Sequence, residues 1–122
     1  MQVLERVHPG VVILAPTERL TVETEAALKD AVRRQLGAGR VHLVLDLARV
    51  PYIDSCGLGR MVQAYVSAHR LGGSLKLLNV NQRNHHLLTV THLTTIFDMY
   101  ATEEEAERSV GKRPAQWLAS LA

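Results

Sequence analysis

The sequence predicts an α/β fold: one domain on a four- to five-stranded, mostly parallel mixed sheet, with about four helices packed mainly on one face. Three observations predict it. From residue 41 onward, segments of strand length alternate with segments of helical periodicity, the pattern of crossover units. Residues 41–47 are apolar at both parities, as a strand covered on both faces must be. Near the N-terminus two short runs are joined by Pro9-Gly10, which marks an antiparallel hairpin.

The elements follow in order. Residues 2–8 alternate, with Val3, Glu5 and Val7 facing one way, and residues 11–15 form an apolar run. A polar connector spans 16–21. Thr21 is placed to cap a helix whose first turn holds Glu23 and Glu25, where acids suit the positive end of the dipole. Leu28, Val32 and Leu36 recur at intervals of four beside Ala27 and Ala31, until Gly37 stops the pattern. The central strand, 41–47, is separated by Pro51 from a helix over 55–71. That helix carries Leu58, Met61, Val62, Tyr65 and Val66 at helical spacing and ends at Gly72-Gly73. A strand over 74–80 follows, then a short helix over 82–91 capped by Asn81, then a strand over 95–99. Thr102 with Glu105 forms a capping box that opens a last helix over 103–110. Gly111 and Pro114 interrupt it, and residues 115–121 add a turn or two, with Trp117, Leu118 and Leu121 packing back. The whole chain, 1–122, reads as a single domain with its core at about 5–110 and a C-terminal extension at 111–122.

A chain of 122 residues can bury roughly two-thirds of its unfolded surface. Aromatic residues make up only 4%, so the core must be built from Leu, Val, Ile and Ala. The net charge of +2 comes from dispersed arginines with few stacking aromatics, which excludes nucleic acid as the expected partner. One cysteine, Cys56, excludes a disulfide scaffold and suits a reducing compartment. The N-terminus lacks the apolar core of a signal peptide, and no run reaches the ~20 apolar residues of a membrane span. The expected setting is cytoplasmic, with no membrane insertion.

The chemistry concentrates at Asp54-Ser55-Cys56-Gly57, where the central strand delivers the chain to a helix start. Ser55 is expected to be exposed there. A nucleophilic serine needs a base and oxyanion donors, and the Gly-x-Ser-x-Gly elbow is absent, so no catalytic residue is assigned and the protein is not expected to be an enzyme. Asp54 is the better helix cap. Gly57 and Gly59 are poor helix residues, each costing ~1 kcal/mol against Ala, and they leave the backbone bare for another molecule to approach. A phosphate on Ser55 would be tolerated at the positive end of the helix. Cys56 could be an activated thiol, but with no nearby histidine and no second cysteine it reads as a small, half-buried filler. His85, His86 and His92 lack the i, i+3 or i, i+4 spacing of a shared helix face, and no metal site is expected. Nucleotide-binding loops are absent too, so no cofactor is expected.

At these residues the sequence resembles STAS domains, specifically bacterial anti-sigma-factor antagonists. The likeness runs through Leu43-Val44-Leu45-Asp46-Leu47, Val50, and Ile53-Asp54-Ser55-Cys56-Gly57-Leu58-Gly59. It continues in Gly72-Gly73-Ser74-Leu75-Lys76-Leu77, in residues 93–97 and in Thr102-Glu103-Glu104-Glu105-Ala106, and covers about residues 5–110. The resemblance implies a STAS-like fold and a protein that, while unphosphorylated, binds an anti-sigma factor that is also a serine kinase. That binding frees a sigma factor for transcription. Phosphorylation of the serine after the motif aspartate, here Ser55, switches binding off, and a serine phosphatase restores it. The partner-binding surface is expected to comprise Glu18, Thr21, Asp54, Ser55, Cys56, Gly57, Leu58, Gly59, Arg60 and Gln63, on a monomer or weak dimer. Cys56 stands where the family often has Ser or Thr, and Glu18-Arg19-Leu20-Thr21 replaces the family's Gly-x-Leu/Ile-Asp. An alternative implied by the same likeness is a STAS scaffold or accessory subunit of a stress-signalling complex or a lipid-transport ATPase. A thiol enzyme using Cys56 is the reading from another class.

Overall fold

In the computed structural model, which describes residues 1–110, the chain opens with a hairpin. Strand β1 (Val3–His8) pairs antiparallel with β2 (Val11–Pro16) across the Pro9-Gly10 turn, His8 opposite Val11 and Val3 opposite Pro16. Helix α1 (Glu25–Gly37) then crosses to β3 (His42–Asp46), α2 (Ser55–Arg70) to β4 (Ser74–Leu78), and α3 (Gln82–Val90) with a 3-10 turn (Leu93–Thr95) to β5 (Met99–Tyr100). Helix α4 (Glu103–Ser109) follows. Strands β2 to β5 are mutually parallel, and the sheet order is β1-β2-β3-β4-β5, the order of the chain itself.

Alternation along the strands sorts the core into two layers. Val12, Leu14, Leu43, Leu45, Leu75 and Leu77 face α1, α2 and α3 in one large apolar cluster. Val11, Ile13, Val44 and Leu78 face the other way and cluster with Ala106 of α4. Three helices therefore cover one face and α4 the other. Val44 at 0% exposure explains why β3 is apolar at both parities. Lys76, in the middle of β4, is buried on the α4 side, and its ammonium lies 3.1 Å from the Asp98 carboxylate. Burial alone would push the Glu5 carboxyl up. Hydrogen bonds from Gln35 and Arg34, with the guanidinium charge, outweigh it and hold the group below its ordinary range, which ties β1 to α1.

Two expectations are corrected. Thr21 does not cap α1, which begins at Glu25. Thr21 is buried at the head of a tight turn, where its carbonyl accepts the N–H groups of Thr24 (3.0 Å) and Glu25 (2.8 Å). The cap position falls to Thr24, whose hydroxyl is committed to the Arg19 carbonyl at 2.7 Å, so Glu25 alone is an acid in the first turn. The fifth strand is Met99–Tyr100, not 95–99. Phe97 is 1% exposed and meets the Tyr65 ring edge-on at 5.6 Å, and the chain curls to place it there. The N–H groups of Ile96 and Phe97 return to the Leu93 carbonyl, so pairing with β4 starts only at Asp98. The expected turn at 115–121 lies outside the described residues.

Candidate functional site

The site is built where the connector after β2 meets the loop after β3. Leu20 and Ile53 form an isolated parallel bridge. The Leu20 N–H donates to the Tyr52 carbonyl and the Asp54 N–H to the Leu20 carbonyl, each at 3.1 Å. Asp54 is extended (φ −91°, ψ −178°) and caps α2, one carboxylate oxygen accepting the Gly57 N–H at 2.8 Å. The other accepts the Val22 N–H at 3.1 Å. One side chain thus clamps the helix start to the connector. The Gly57 N–H bond chiefly, joined by those of Val22 and Cys56, outweighs desolvation and holds the Asp54 carboxyl below its ordinary range.

The loop is pinned from its other side by α3. The buried Asn84 donates from its amide to the Val50 carbonyl at 2.9 Å, and Asn81 donates to the Pro51 carbonyl at 3.2 Å while also capping α3. The Arg83 guanidinium lies 4.9 Å from the centre of the Tyr52 ring, a cation–π contact. Sequence reasoning missed Asn84. A polar residue in a helix carries no local sign that it serves a loop 34 residues earlier.

The expected site residues fall into three groups. Ser55, Cys56, Gly59 and Gln63 are exposed along α2, with Glu18 exposed on the connector. Asp54, Leu58 and Arg60 are half-buried. Arg60 is paired with Glu25 of α1 and donates to the Gln63 amide oxygen at 2.9 Å, and Leu58 packs on the main core. Thr21 and Gly57 are buried and shape the site from within. A Cβ at Gly57 would overlap the Leu20 carbonyl oxygen, so the close approach of connector and helix requires glycine there. At Gly59 a Cβ would meet nothing within 4 Å, which leaves that stretch of α2 bare. Cys56 is exposed, which corrects its reading as a half-buried filler: the second residue of the helix points its thiol outward. Val22, 64% exposed beside Asp54, is an apolar member of this surface that the sequence pattern did not single out.

The Ser55 hydroxyl makes no hydrogen bond among the described residues, so no base is in place to activate it. What the position offers is access, free rotation and the positive end of a 16-residue helix. His85, His86 and His92 are exposed and join no group of three ligating side chains among the described residues. No helix of the described residues is long and apolar enough to cross a membrane.

Comparison with known proteins bears on this geometry. The STAS domain profile matches residues 2–106. The chain is 32% identical over 104 residues to the anti-sigma F factor antagonist of Paenibacillus polymyxa, covering 81% of this chain and 86% of that one. It is similar to the crystal structure of a candidate anti-sigma factor antagonist from Thermotoga maritima, with a TM-score of 0.84 and 31% identity over 88% of this chain and 93% of that one. The Bacillus cell fate determinant SpoIIAA, in its phosphorylated form, shares the fold at a TM-score of 0.69 and 18% identity, over 88% of this chain and 97% of that one.

Proposed function

Because the chain belongs to the STAS domain family, with relatives named as anti-sigma factor antagonists, we propose that it is a binding protein switched by phosphorylation of Ser55. Unphosphorylated, it captures an anti-sigma factor that is also a serine kinase. Phosphorylated, it lets go, and a serine phosphatase resets it. The protein acts in the cytoplasm as a monomer or weak dimer, by binding rather than by catalysis.

The observation that carries this reading is the Ser55 hydroxyl, exposed and unbonded one residue past a fully engaged cap. A phosphoryl group there adds a charge of about −1.5 to −2 and three acceptor oxygens. The helix end tolerates the anion, so the fold need not respond. A partner seated over Ser55, Cys56 and Gly59 must accommodate or desolvate it. Each ~1.4 kcal/mol of lost contact is tenfold in affinity, so a few kcal/mol suffices for a switch. The contact surface is Glu18, Ser55, Cys56, Gly59 and Gln63, bordered by Asp54, Leu58 and Arg60, with Thr21 and Gly57 supporting it from inside.

The test uses Ser55→Ala and Ser55→Asp against the purified anti-sigma factor kinases of the host. Ser55→Ala should bind its kinase like the parent protein and stay bound when ATP is added. Ser55→Asp should bind at least tenfold more weakly. Equal binding by both variants sinks the switch.

A further inference from the structure

On the other side of the sheet, far along the chain from Ser55, three ligating side chains converge. His8 is the last residue of β1 and leads into the Pro9-Gly10 turn. Glu103 and Glu107 stand four apart on α4 and so share one side of that helix. The His8 Nε2 lies 3.5 Å from a Glu103 carboxylate oxygen, and its Nδ1 lies 3.7 Å from a Glu107 oxygen. One ligating atom from each residue falls within 4.8 Å of the other two, and all three residues are half-buried. The His8 Nε2 is shielded from solvent and has no hydrogen-bond partner. At 3.5 Å the facing carboxylate is beyond good hydrogen-bond distance. An imidazole with a carboxylate facing each of its ring nitrogens, and with its shielded Nε2 left without a hydrogen bond, is a donor set short of a cation.

We propose that His8, Glu103 and Glu107 bind a divalent transition-metal cation of the zinc type, which fastens α4 to the β1–β2 hairpin. One imidazole nitrogen and two carboxylate oxygens suit such an ion, with a position left for water. Bond lengths of ~2.0–2.2 Å put tetrahedral ligands roughly 3.4 Å apart. The observed spread of up to 4.8 Å therefore closes by up to about 1.4 Å, within reach of rotations of two partly exposed glutamate side chains. The Arg6 guanidinium lies 3.1 Å from the Glu103 oxygen that does not face His8. It serves as an outer partner that orients that ligand. The ion also removes the repulsion between two carboxylates one turn apart. Helix α4 has seven residues, too few to be stable alone. Its one buried residue, Ala106, closes the cluster of Ile13, Val44 and Leu78. A clip at this end holds that cover in place.

Calorimetric titration of the full chain with Zn²⁺ alone, in a non-chelating buffer, tests the site, with Co²⁺ absorption reporting the coordination. One equivalent should bind and raise the melting temperature. His8→Gln and Glu107→Gln should each weaken binding at least tenfold, while the His85→Gln/His86→Gln double variant should bind like the parent. Glu107 is partly exposed, so Glu107→Gln remains informative if His8→Gln folds poorly. No binding by the parent, undiminished binding by His8→Gln or Glu107→Gln, or loss of binding in the α3 double variant overturns the proposal.

Discussion

Replacing Gly57 by alanine sets two effects of known size against each other. Helix propensity favours the change by ~1 kcal/mol, since Gly57 is the third residue of α2. Sterics oppose it. The new Cβ would overlap the Leu20 carbonyl oxygen and lie 2.8 Å from the Leu20 carbonyl carbon and 2.9 Å from its Cγ. The offended atoms are mostly backbone, and that carbonyl accepts the Asp54 N–H at 3.1 Å, so it cannot retreat without breaking a bond. Overpacking costs about 1–3 kcal/mol, and the strained hydrogen bond adds ~1 kcal/mol. Net destabilisation should be about 1–3 kcal/mol, a fall in melting temperature of roughly 4–12 °C for a domain this size. Gly59→Ala is the matched control. Its Cβ meets nothing within 4 Å, so only propensity acts and stability should rise by ~1 kcal/mol. Urea denaturation of the three proteins at equal m-value measures both. A Gly57→Ala variant as stable as Gly59→Ala would refute the assignment of Gly57 to close approach.

Two more outcomes follow from the ties around the site. The folded-state Asp54 carboxyl is depressed, so its contribution is fully present above the unfolded value of about 3.9 and lost as pH falls through the lower folded value. Asp54→Asn should therefore be less stable at neutral pH and show a shallower acid limb below about pH 4 in a pH series of melting curves. Arg60 and Glu25 join α2 to α1 in a partly buried pair. A double-mutant cycle with Arg60→Gln and Glu25→Gln should return a coupling of about 0.5–1 kcal/mol that shrinks with added salt.

Much of the fold was legible because local chemistry and tertiary placement agreed. Pro9-Gly10, the apolar run through Val44, Asp54 before Ser55, Asn81, and Thr102 with Glu105 each signal an element that the structure contains. Misreadings arose where tertiary demands outweighed local pattern. Thr21 has the side chain of a cap, but the Leu20–Ile53 bridge draws its segment into a turn first. The apolar stretch around Phe97 looks like a strand, but the Phe97 ring is buried edge-on against Tyr65 and the chain curls to place it there. At the site, Ser55 and its capping neighbour could be read from residues 54–59. Asn84 beneath the loop, Val22 beside it and the inward position of Gly57 could not, because each is defined by a residue distant in sequence. His8 escaped notice for the same reason, its two glutamates lying at the opposite end of the chain.

A sheet whose spatial order repeats its sequence order has a consequence for how the protein is made. No strand waits for a later one to be inserted between itself and its predecessor. During synthesis, the contacts that set up the head of α2 can close as the chain emerges, since Leu20 with Ile53 and Asp54 with Val22 and Gly57 lie within the first 57 residues. Asn81 and Asn84 arrive afterwards and bolt the loop from beneath. The Ser55 platform is thus set up by contacts within residues 20–57, and Asn81 and Asn84 secure it.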